Sequence, residues 1–97
     1  MIDRHQALFD ATAEAVQRGP GHTPAALRQQ VAAGTPPAEL TGLVAKIADD
    51  PYKVTDADLD TLRDRYSEDA LFEIVVAAAH GAAATRLQAA LAALEAA

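Results

Sequence analysis

The run Glu68-Asp69-Ala70-Leu71-Phe72-Glu73-Ile74-Val75-Val76-Ala77-Ala78-Ala79-His80-Gly81-Ala82-Ala83-Ala84-Thr85-Arg86-Leu87-Gln88-Ala89-Ala90-Leu91-Ala92-Ala93-Leu94 decides the fold. It holds no proline, its residues are strong helix formers, and nothing in it alternates with period two. Ser67 followed by Glu68 and Asp69 is a helix-start signal, so one long Ala-rich helix is predicted from here towards the C-terminus. In its first half Leu71, Val75, Ala78 and Ala82 share a face, with Glu73 and His80 opposite. At about 100° per residue, Leu87, Leu91 and Leu94 fall on the side of Glu73 and His80. The apolar stripe therefore changes sides near Gly81. Either the helix kinks there, or different partners cover it on two sides. A second covering surface in so short a chain points to another subunit.

Upstream, punctuation divides the chain into four more helical segments. The first spans about Asp3 to Arg18, with Leu8, Ala11 and Ala15 on one side and Phe9 and Val16 nearby, and stops at Gly19-Pro20-Gly21. Thr23-Pro24 reads as the N-cap and first turn of the second, which carries Leu27 and Val31 and closes at Gly34. Thr35-Pro36 repeats that signal for a third helix with Leu40, Leu43, Val44 and Ile47, ended by Pro51. Thr55 caps a fourth, with Asp56 and Asp58 in its first turn and Leu59 and Leu62 inside. The expected architecture is all-α: a compact bundle of about five helices with a long Ala-rich C-terminal helix.

The 97 residues make one domain, 1–97, with no room for a second core. About a quarter of them are alanine and only 4% are aromatic, so the helices must approach closely to fill space. A formal net charge of −6 argues against nucleic acid and against an anionic membrane surface. The N-terminal residues lack a secretion pattern, and the most apolar stretch, Ile74 to Ala79, is too short to span a bilayer. The expected setting is cytoplasmic.

Cysteine is absent, which rules out disulfides, thiolate metal sites and thiol redox chemistry. Asp56-Ala57-Asp58-Leu59-Asp60 opens like a calcium loop, but Thr61 stands where the loop needs Gly and Ser67 where it needs Glu. His5, His22 and His80 have no partner ligand at metal spacing, so neither metal nor cofactor is expected. His80 interrupts an Ala-rich stretch one heptad beyond Glu73. Packing at a helix or subunit contact is the plainer reading; an acid/base pair with Glu73 is the functional one.

From Leu43 to about Leu94 the chain resembles the carboxymuconolactone decarboxylase and alkylhydroperoxidase D-like family. Asp50-Pro51-Tyr52-Lys53-Val54-Thr55-Asp56-Ala57 falls at the family's Cys-x-x-Cys-x-x-x-His motif. Arg65-Tyr66-Ser67-Glu68-Asp69 follows at the spacing of its turn, and Leu71 to Ala79 is similar to its final helix. On this register residues 38–95 form the family-like core, and 1–37 supply additional N-terminal helices. Asp50 and Lys53 replace the two cysteines, Ala57 replaces the histidine, and Arg65 stands at the turn glycine. The resemblance therefore implies a shell without peroxidase chemistry.

Two functions follow as expectations. The first is a catalytically degenerate subunit acting in assembly or partner binding, as a trimer, a hexamer or with another protein. Its interface would comprise Phe72, Val76, Ala83, Leu87, Leu91 and Leu94. The second is a cofactor-independent lyase or isomerase with His80 as acid/base, Glu73 as its partner, and Lys53 with Tyr52 holding an acidic substrate. A binder of a small apolar ligand between helices is a third possibility.

Overall fold

The computed structural model describes residues 10–12, 14–16 and 19–96. They form an all-α bundle of five helices with no strand. Helix α1 comprises residues 10–12 and 14–16; His5, Leu8 and Phe9 lie outside the described residues. Then follow α2 (Ala25–Ala32), a 3-10 turn (Ala38–Leu40), α3 (Thr41–Asp49), a second 3-10 turn (Pro51–Lys53), α4 (Asp56–Asp60) and α5 (Glu68–Ala96).

Helix α5 is the axis of the fold. Its 29 residues span about 43 Å at 1.5 Å per residue, nearly the 47 Å length of the molecule. Helices α2 and α3 pack along its first half. The core joins Val31, Leu40, Leu43, Val44, Ile47 and Leu62 to Leu71, Ile74, Ala77 and Ala78 of α5. Leu40, Ile74 and Val31 are completely enclosed, and each contributes about 1.5–3 kcal/mol of transfer free energy.

The helix boundaries follow local chemistry where local chemistry is strong. Thr55 closes a capping box on α4: its hydroxyl accepts from the Asp58 amide at 3.4 Å, and the Asp58 carboxylate accepts from the Thr55 amide at 2.9 Å. At the start of α5 the Ala70 amide donates to the Ser67 hydroxyl at 3.1 Å.

Two starts differ from expectation. Pro24, not Thr23, is the N-cap of α2, with no side-chain cap, because the Thr23 hydroxyl is engaged by α5. Helix α3 begins at Thr41, behind a 3-10 turn, and not at Pro36. Pro37 disfavours helical backbone at the residue before it, which pushes the start downstream.

Gly81 lies within an unbroken α5. A Cβ there would sit 2.7 Å from the carbonyl carbon of Ala32 and still closer to its oxygen. Absence of a side chain at Gly81 lets the two helices touch backbone to backbone.

Candidate functional site

Glu73 is the side chain with the densest set of polar partners on α5. Its carboxylate accepts the Thr23 hydroxyl at 2.6 Å and the amides of His22 and Thr23 at 2.6 and 2.9 Å. The Nε of Arg28 lies 4.0 Å away. These bonds hold Glu73 down to a pKa of about 2, the Thr23 hydroxyl being the largest cause and the His22 amide the next. Gly21 fits the same turn: a Cβ there would fall 2.6 Å from the carboxylate.

Arg28, buried on α2, completes the arrangement. It donates Nη1 to the Val16 carbonyl of α1 at 2.9 Å and Nη2 to the Gly19 carbonyl. Glu73 and Arg28 together clasp the Gly19–Thr23 turn onto the bundle. Sequence reasoning misses Arg28, though its position three residues before Val31 puts it on the inward face of α2.

The three residues of the acid/base reading are placed differently. Glu73 is directed at Thr23, and His80, half-buried, sits one heptad on, about 10 Å further along the helix axis. Lys53 lies in the second 3-10 turn, largely exposed, with Nζ 3.9 Å from Asp50; the neighbouring Tyr52 is 96% exposed. Ala57 is on α4.

An open cleft of about 380 Å³, within the 300–1,000 Å³ usual for ligand pockets, is lined by Ala32, Ala33, Gly81, Ala84, Thr85 and Gln88 and holds no charged side chain. One of about 90 Å³ lies among Val31, Val44, Ala78 and Gly81. Another, of about 260 Å³, contains Lys46, whose ammonium is tied at 2.9 Å to Asp58. None of these is lined by His80, Glu73 or Lys53.

The outer side of α5 is different in kind. Every buried residue of α5 lies between Ala70 and Gly81, so the core uses one face of its first half. Phe72, 70% exposed, and Leu94, 62% exposed, project from the helix into solvent. Ala83 is exposed, and Val76, Leu87 and Leu91 are half-buried. The apolar run is also longer than Ile74–Ala79. The whole of α5 is long and apolar enough to cross a membrane by length and composition, with a third of its most apolar window buried inside the bundle. Within the bundle, Glu73 and Arg86 of this helix bond to Thr23 and to the Ala48 carbonyl, and its first half packs in the core.

Compared with known proteins, the chain matches no family model, no curated protein and no solved structure.

Proposed function

We propose that this chain is a non-redox assembly subunit whose α5 presents an apolar docking face. One observation carries the reading: α5 continues for about fifteen residues beyond its last buried position while keeping leucine and alanine exposed. A lone helix of about that length is marginal in water, and its apolar side chains gain nothing without a partner. The resemblance to the carboxymuconolactone decarboxylase family supports the same conclusion, because there the last helix lies in subunit contacts. The chemistry of that family has no counterpart in Asp50, Lys53 and Ala57.

The acid/base alternative draws no support from the geometry, since Glu73 spends its carboxylate on the Gly21–Thr23 turn. Light scattering after size exclusion tests the proposal. The 97-residue chain is expected at a multiple of 10.1 kDa. A Phe72→Asp, Leu94→Asp double variant should run as a monomer with unchanged helical circular dichroism, because a charge buried without a partner is costly. A monomeric wild type whose behaviour the double substitution leaves unaltered would remove this function.

A further inference from the structure

Seven residues of α5 occupy the side turned away from the core. Phe72, Val76, Ala79 and Ala83 continue into Leu87, Ala90 and Leu94, and at about 100° per residue they fall within roughly 80° of one another. The buried residues, from Ala70 to Gly81, centre on the opposite side of the helix. Five of the seven are exposed and the other two half-buried. Leu91 is turned a further 40° or so beyond Leu87, towards the side of Glu73.

The spacing of this stripe is palindromic. Its steps are four, three and four residues up to Ala83, and four, three and four beyond it. Leu87 and Ala79 stand equally far from Ala83, as do Ala90 and Val76, and Leu94 and Phe72. Resting on the docking-face reading above, we propose that the occupant of this face is a second copy of the same chain, its α5 antiparallel and related by a twofold axis at Ala83.

A twofold contact must bring residue i against j and j against i, and the pattern meets that demand along its whole length. Leu87 of each copy lies against Ala79 of the other, and Val76 against Ala90. A large side chain thus meets a small one at every inner position, which lets the helices approach to about 8 Å. Ala83 meets itself at the axis, and Phe72 meets Leu94 at both ends. Parallel pairing would instead set Phe72 on Phe72 and Leu87 on Leu87.

Charge agrees with this choice. Between Phe72 and Leu94 the charged residues are Glu73 and Arg86. Glu73 is bonded to Thr23 and His22, and Arg86 donates to the Ala48 carbonyl of α3. The seam therefore buries no unpaired charge, and the antiparallel arrangement sets the helix dipoles favourably. A seam of about 33 Å removes on the order of 1,000 Å² of surface in total, the lower end of specific interfaces, so a dimer dissociating in the micromolar range is expected.

The absence of native cysteine makes the register directly testable. Ala83→Cys should form an intersubunit disulfide under mild oxidation, because the axis brings its two copies within the 4.4–6.8 Å that a disulfide requires. Its yield should exceed that of Gln88→Cys, on the other side of α5, by at least tenfold. Val76→Cys and Ala90→Cys should each cross-link poorly alone but efficiently when mixed, with folding checked by circular dichroism. An assembly heavier than 10.1 kDa without the Ala83 excess would overturn the twofold register while sparing the docking-face reading. Self-cross-linking of Val76→Cys as strong as the mixture would mean parallel pairing and also overturn it. A monomer that instead sediments with phosphatidylcholine vesicles would make the face a membrane surface, and both readings would fail.

Discussion

Gly81 and Gly42 both lie inside helices, yet their surroundings give them opposite roles. A Cβ at Gly81 would collide with Ala32, whereas a Cβ at Gly42 meets nothing within 4 Å. Alanine gains about 1 kcal/mol over glycine in a helix, and overpacking costs about 1–3 kcal/mol. Gly81→Ala should therefore lower stability by up to about 2 kcal/mol, and Gly42→Ala should raise it by about 0.5–1 kcal/mol, both read from urea unfolding. Glu73 supplies a pH signature. Its pKa is held near 2 when folded, against 4.5 ordinarily, so its contribution is complete above about pH 4.5 and is lost as pH falls towards 2. Glu39 and Asp58 shift in the same direction, through the Tyr66 hydroxyl and the Lys46 ammonium respectively. Glu73→Gln should be less stable at neutral pH and show a shallower loss between pH 4.5 and 2 than the wild type. Equal slopes in that window would mean that Glu73 does not carry the clasp.

Among the elements, those set by adjacent residues are legible in the sequence. The Thr55 capping box, the Ser67 start and the apolar spacing of α3 are written within a few positions of where they act. Thr23 is not legible as a clasp residue, because its partner is fifty residues away and its Thr-Pro context mimics a helix cap. Glu73 shares that problem. Its place among apolar neighbours marks it as unusual, but only the fold reveals that it binds a turn. The side change in the α5 stripe is readable, whereas the role of Gly81 beside it is not: the glycine serves contact with Ala32 and no break occurs. The distal part of α5 gives an element-scale prediction. Ending the chain after Gln88 removes no buried residue, so unfolding of the remaining monomer should shift by less than about 1 kcal/mol, typical of exposed segments. Loss of Leu94 and Ala90 should nevertheless weaken self-association at least tenfold in sedimentation equilibrium.

At the scale of the molecule, one long helix serves two surfaces. Its inner face, through Leu71, Ile74, Ala77 and Ala78, holds α2 and α3 and is a large part of a small core. Its outer face keeps Phe72 and Leu94 in solvent at the two ends of a stripe centred on Ala83. A net charge of −6 opposes indiscriminate aggregation, which leaves the uncharged stripe as the place where association is favoured. If α5 presents a docking face for assembly, as proposed above, absolute mass from light scattering across a concentration series will separate the wild type from Phe72→Asp with Leu94→Asp. The wild-type mass is expected to rise from 10.1 kDa to its double as concentration increases, with a constant monomer mass for the variant. A wild type that stays at 10.1 kDa throughout, indistinguishable from the variant, would rule out assembly through this face.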